Sequence, residues 1–280
     1  MVDILYTSGD SFTYGSGLVF HLWKDEYPET FEYFKSKILG NKLYAQITEE
    51  ISLFKNFRIE NNYSNLLKNK LGCELITNAI NGRSNPDRIG DLSNLINYLN
   101  IQKSVNLKYC VFQFSFASRD VESIIDPRPW NPDPEIIYGK DFCDYVKSVN
   151  FTKSDAELNV LLGKVLKKTI DVVCEKFKYL EENFGTKCVF FFGNGDNNLT
   201  QSILDYVKLN PYYFEIKCDE VSYPTWHGLC ENKKLTLRKS IGVDDDHPNI
   251  EGNKWLCEQI YSRFTDFLVK EYPFKYVNLL

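Results

Sequence analysis

The sequence predicts a three-layer α/β fold built around a mainly parallel sheet, and three observations lead there. Four short apolar runs, residues 3–8 (DILYTS), 73–79 (CELITNA), 108–115 (KYCVFQFS) and 187–194 (KCVFFFGN), are bounded by turn residues and read as buried strands. Stretches with a helical apolar period separate them, and strands alternating with helices place helices on both faces of a parallel sheet. With 280 residues and 43% hydrophobic content, the chain has material for a sizeable core.

Taken in order, the first strand runs directly into Gly9-Asp10-Ser11. The stretch NYSNLLKNKLG reads as a helix that Gly72 terminates, and NPDRIGDLSNLINYLN as the helix after the second strand. The longest helix covers 154–184. Ser154 and Glu157 form a capping-box pattern, and Leu158, Leu162, Val165, Val173, Phe177 and Leu180 keep one stripe. A last amphipathic helix begins near Asn249 and carries Leu256, Ile260, Phe264 and Phe267 on one side.

Two segments interrupt this alternation and read as insertions in a single domain of residues 1–280. Residues 16–60 are aromatic and helical in part. Residues 121–142 are proline-rich around Trp130, a density that forbids a regular helix or central strand. Long excursions of this kind serve as lids, binding loops, structural arms or oligomer contacts.

Composition narrows the function. The net charge of −5 and the absence of a long Lys/Arg block argue against nucleic acid as the main partner. No apolar run approaches the roughly 18 residues of a membrane span, and the start, MVDILYTSGD, lacks the basic region of a signal peptide. The eight cysteines include no Cys-x-x-Cys pair, and Cys73, Cys110, Cys174 and Cys188 lie inside apolar elements, which suits reduced thiols in a cytoplasmic setting. The expected partner is a neutral small molecule.

Ligands of an open α/β sheet sit at the carboxyl ends of its strands, and Ser11 lies at such an end. Gly, Asp and Ser are equally what an ordinary turn uses. A serine nucleophile needs a base, and the chain has only His21, His227 and His247. His247 lies in GVDDDHPNIEGN, just before the last helix, with Asp244 three residues upstream. Asp244 on that loop can orient the imidazole, and the same acids can equally be solvated loop residues preceding an Asn N-cap. His21 and Trp23 in the first insertion, with Trp226 and His227 after the fourth strand, read as packed aromatics or cleft-lining groups. The segment GNGDNN, 193–198, lacks the Lys-Ser/Thr of a phosphate loop.

Gly-Asp-Ser in GDSFTYGSGL and Asp-x-x-His-Pro before the final helix resemble the first and last sequence blocks of the SGNH, or GDSL-type, esterase/lipase family, and the resemblance spans nearly the whole chain. It implies a flavodoxin-like α/β/α sandwich and a serine hydrolase that cleaves carboxylic esters through an acyl-enzyme, with Ser11 as nucleophile and Asp244 and His247 completing the triad. NAINGRSNPDRI, 78–89, looks like the family's second block, which implies that the N–H groups of Gly82 and Ser11 form the oxyanion hole. Gly82 is also a plausible strand-to-helix turn glycine, with Ser84 or Asn85 capping the next helix.

The sequence departs from the family after the third strand. Members usually carry Gly-x-Asn-Asp there, whereas this chain reads QFSFASRD, 113–120, with Ala117 near the expected Asn. Ser115, Ser118 and Arg119 are the candidates for the missing donor. The resemblance implies no metal or organic cofactor, and short acyl esters, including O-acetyl groups on carbohydrate, as substrates. An acyltransferase with the same triad and a weakly active or inactive binding protein on the same fold stand as alternatives.

Overall fold

The computed structural model describes residues 2–34, 51–80, 84–102, 104–127, 132–149, 155–194, 199–243 and 245–271. Four strands, β1 (Val2–Ser8), β2 (Glu74–Thr77), β3 (Val105–Phe114) and β4 (Lys187–Phe192), form one parallel sheet in the order β2-β1-β3-β4. That is the doubly wound, flavodoxin-type order, with its topological switch between β1 and β3. The strands are apolar almost throughout because both faces are covered. On one face Ile4, Tyr6, Phe112, Phe114, Phe190 and Phe192 pack against the helices Asn85–Ile101, Ala117–Ile125 and Asp155–Phe184. On the other, Leu5, Val111, Val189 and Phe191 pack against Tyr63–Leu71, Trp226–Asn232 and Ile250–Glu271. Beyond β4, Tyr213 makes a single parallel bridge to Phe190 where a fifth strand would lie. A two-stranded antiparallel ribbon, β5 (Ile216–Cys218) and β6 (Val221–Tyr223), follows.

Local signals explain the helix ends. Asn62 caps Tyr63–Leu71 by accepting the Asn65 N–H, and Gly72 closes that helix at φ 63°, a backbone region that glycine enters without steric cost. Asn249 Oδ1 accepts the Gly252 N–H at 2.9 Å and starts the final helix, whose Leu256, Ile260 and Phe264 are buried. In the helix Asp155–Phe184 burial begins at Leu161, and Leu158, expected in the buried stripe, is 39% exposed because it sits in the first turns, ahead of the packed portion. Its anticipated Ser154 cap lies outside the described residues.

The insertions hold more helix than their composition suggested. Ala117–Ile125 runs on into the second one because the prolines begin only at Pro127, and Pro134 starts the helix Pro134–Tyr138 from its first position, where its missing N–H costs nothing. In the first insertion, Val19, Phe20, Trp23, Phe31 and Phe54 form a separate small core with Leu237 and Val243. The insertion therefore packs on the segment that leads to His247. No helix among the described residues is long and apolar enough to cross a membrane, and all eight cysteines are free thiols.

Candidate active site

Ser11 is the first residue of a one-turn helix, Ser11–Tyr14, that leaves β1 at the switch point. Asp10 caps this helix: its Oδ1 accepts the Phe12 N–H at 3.0 Å. The Ser11 N–H and hydroxyl make no hydrogen bond among the described residues, as expected for the first amide of a helix.

Asp10 is fully buried and satisfied from three directions. Gln113 Nε2 donates to Oδ1 at 2.6 Å, and Ser115 Oγ donates to Oδ2 at 2.6 Å. Arg119 Nη1 lies 3.6 Å from Oδ2 and donates to Ser115 Oγ at 3.0 Å. The far end of Gln113 accepts from Thr13 Oγ1, in the same turn as Ser11. The Gln113 amide fits between Gly9 and Gly193, and a Cβ on Gly193 would overlap it. Beneath it, fully buried Arg88 donates to Ser84 O, Gln113 O and Asn85 Oδ1, tying the segment after β2 to the end of β3. Asp120 accepts the Asn85 backbone and amide N–H groups, and complete burial pushes its pKa up to about 7.

The base side is a tight loop. Val243 to Asn249 is pinned by Asp245 N–H to Val243 O, Arg238 N–H to Asp245 O, Leu237 N–H to His247 O and Asn249 N–H to Leu235 O. Asp245 Oδ1 accepts the His247 backbone N–H at 2.9 Å and lies 2.5 Å from His247 Nδ1. That contact assigns the proton to Nδ1 and leaves Nε2 as an acceptor. Nε2 is buried and makes no hydrogen bond among the described residues. The ring packs 4.9 Å from Phe12, the residue after Ser11. Burial would pull the His247 pKa down, but the Asp245 hydrogen bond and charge, with Asp10 and Asp246 behind them, hold it above the usual imidazole value. Burial pushes Asp245 up, yet its bonds and charge interaction with His247, helped by Arg238, bring it below the usual carboxylate value.

The structure packs the His247 ring on Phe12, the residue after Ser11, and places Asp245 against Nδ1, where the three-residue spacing suggested Asp244. Asp244 itself lies outside the described residues, as does Gly82. The turn explains the Asp245 contact: from two residues upstream, one carboxylate oxygen reaches both the backbone N–H and the ring of His247. Ser115, expected as a candidate oxyanion donor, is buried with its hydroxyl proton given to Asp10 and its backbone N–H to Asn85 Oδ1, so it has no donor to spare. Ser118 is half-buried, and Arg119, with its side chain 30% exposed, keeps contact with solvent. His21 sits in the first insertion, where burial lowers its pKa. Asp245, Asp246 and His247 also bring ligand-type atoms within 4.8 Å of one another, but the short Asp245–His247 contact already uses one atom of each.

Sequence reasoning missed Asp10, Gln113 and Gly17. Gly17 has φ 84°, and a Cβ there would overlap Leu237 and come within 3.0 Å of Asp245 Oδ2, so the glycine lets the first block lie against the histidine loop. The motif GDSFTYGSGL held the signal, in a glycine that its spacing did not explain.

No protein-family model and no curated protein sequence matches the chain. Two solved structures are similar to it over most of its length. One is the psychrotrophic esterase EstA from Pseudoalteromonas sp., inhibited by monoethylphosphonate, at 10% identity over 95% of this chain and 98% of that one, with a TM-score of 0.41. The other is the acetyl xylan esterase Est2A from the rumen bacterium Butyrivibrio proteoclasticus, at 12% identity and a TM-score of 0.42, covering 96% of this chain and 64% of that one. At such TM-scores neither likeness bears on function, which has to be argued from the chemistry of the site.

Proposed function

We propose that the protein is a serine hydrolase that cleaves carboxylic esters with short acyl groups, with Ser11 as nucleophile, His247 as general base and Asp245 as the acid that orients it. One observation carries this reading: an imidazole held by a carboxylate at Nδ1 packs on the residue next to a serine, and neither its buried Nε2 nor the serine's hydroxyl and amide make a hydrogen bond among the described residues. In the reaction, Nε2 takes the Ser11 proton as Oγ attacks the ester carbonyl. The resulting imidazolium returns the proton to the departing alcohol, and water then releases the acid through the same base. Asp245 stabilises the imidazolium. The Ser11 N–H serves the oxyanion, with Gly82 proposed as the second donor and Ser118 or Arg119 as candidates for a third.

A fluorophosphonate probe tests the nucleophile, because it labels an activated serine covalently. Labelling should map to Ser11 and vanish in Ser11→Ala, which should also lose at least about a thousandfold in ester turnover while keeping its thermal unfolding midpoint. An unlabelled wild-type protein, or a variant retaining a tenth of the activity, would overturn the assignment.

A further inference from the structure

Adjacent acids on the histidine loop meet different histidines. Asp245 pairs with His247, whereas Asp246 Oδ2 lies 3.5 Å from His227 Nε2. Both imidazoles pack on Phe12, His247 at 4.9 Å and His227 edge-on at 6.0 Å. Two of the three histidines in the chain therefore face the residue that follows Ser11.

His227 is firmly mounted. Its backbone N–H donates to Gly193 O at 2.8 Å beyond the end of β4, and Thr225 caps its helix by accepting the Gly228 N–H. The preceding Trp226 is fully buried among Phe12, Tyr63 and Phe191. His227 Nε2 is inaccessible and makes no hydrogen bond among the described residues, so its 3.5 Å approach to Asp246 lacks hydrogen-bond alignment. Asp246, by contrast, has a side chain 51% exposed. The arrangement is a solvent-facing carboxylate 3.5 Å from an imidazole carried on a well-anchored helix start.

In the proposed mechanism the leaving alcohol departs toward His247, which protonates it. Asp246 meets His227, whose ring packs on the same Phe12 as the His247 ring, so its carboxylate lies on the histidine side of the residue that follows Ser11. Carboxylates are acceptors only, and each can take two hydroxyl donors. Resting on the esterase reading, we infer that Asp246 contacts the substrate by binding hydroxyl groups on the alcohol portion, with His227 as its positioning residue. Asp246 then selects, among short-acyl esters, those whose alcohol carries further hydroxyl groups.

The test compares 1-monoacetin with n-propyl acetate, which share the acetyl group and a three-carbon alcohol skeleton and differ in two hydroxyls. The wild-type protein should favour 1-monoacetin in kcat/KM by about tenfold or more, the scale of a hydrogen bond to a charged group. Asp246→Asn should cut that ratio to about twofold, chiefly through the KM for 1-monoacetin. His227→Gln should lower the ratio too, and the double variant should lose no more than Asp246→Asn alone. The inference is overturned if the wild-type protein shows no preference, if Asp246→Asn leaves the ratio unchanged, or if it slows both esters equally, as a purely electrostatic effect on His247 would. Hydrolysis of both esters that depends on Ser11 but shows no preference keeps the esterase reading and removes this one. Hydrolysis of neither removes both.

Discussion

Two carboxylates support the proposed site, Asp10 beside Ser11 and Asp245 at His247, and they are held in opposite ways. Asp10 is fully buried and takes hydrogen bonds from Phe12, Gln113 and Ser115, with Arg119 close by; Gln113 and Ser115 lie about a hundred residues away in sequence. Asp245 is partly exposed and takes both of its short contacts from one residue two positions along. The serine end is fixed by long-range packing, so the Asp10, Gln113 and Ser115 groups beneath Ser11 cannot be removed without unfolding costs. The histidine end is a local turn, so its chemistry can change while the fold survives.

The sharpest way to break that comparison is Asp245→Asn. It should lower kcat by about three to four orders of magnitude through loss of the correct tautomer, with a thermal midpoint close to wild type. Asp244→Asn should keep most of the activity, and the reverse ranking would return the orienting role to Asp244. Asp10→Ala comes next and should show the opposite balance. Stranding the Gln113 and Ser115 donors and the nearby Arg119 charge should cost about 3–5 kcal/mol in urea unfolding, with activity falling alongside. An unchanged unfolding midpoint would mean the network contributes nothing to stability.

Gly193→Ala tests the same network without touching a polar group. Its Cβ would displace the Gln113 amide from Asp10, so the variant should lose about 1–3 kcal/mol of stability. The smallest effect concerns pH. The His247 pKa is raised, so activity, which needs the neutral imidazole, should rise with pH through a midpoint above the usual value of about 6.5. The stabilisation from the charged pair runs the other way: it is fully present below the unfolded imidazole pKa and is lost as pH rises through the folded one. Asp245→Asn should move the midpoint of any residual activity to lower pH, and a midpoint that stays in place would show that Asp245 does not set it.

By itself the sequence determined the four sheet strands and the main helices between them, though not the helices inside the insertions. Short apolar runs bounded by turn residues read as strands covered on both faces, so the parallel sheet was legible, as were the helix signals at Gly72 and Asn249, whose effects act within four residues. It also placed Ser11 at a strand end and His247 ahead of the final helix. Tertiary structure decided what depends on contacts between distant segments or on a few degrees of backbone rotation. Asp244, Asp245 and Asp246 are chemically identical, and the torsions of one turn give the His247 ring to Asp245 and bring Asp246 near His227. Ser115 looked like a free hydroxyl at the active edge, yet packing delivers it to Asp10, 105 residues away. Gln113 read as one more strand residue, and only the closing of β1, β3 and β4 around two glycines made its amide the support of the serine turn. Local sequence encodes propensity and period, whereas the pairing of particular polar groups is set by where the assembled sheet brings them, because a buried hydrogen bond needs its partner within about 3 Å.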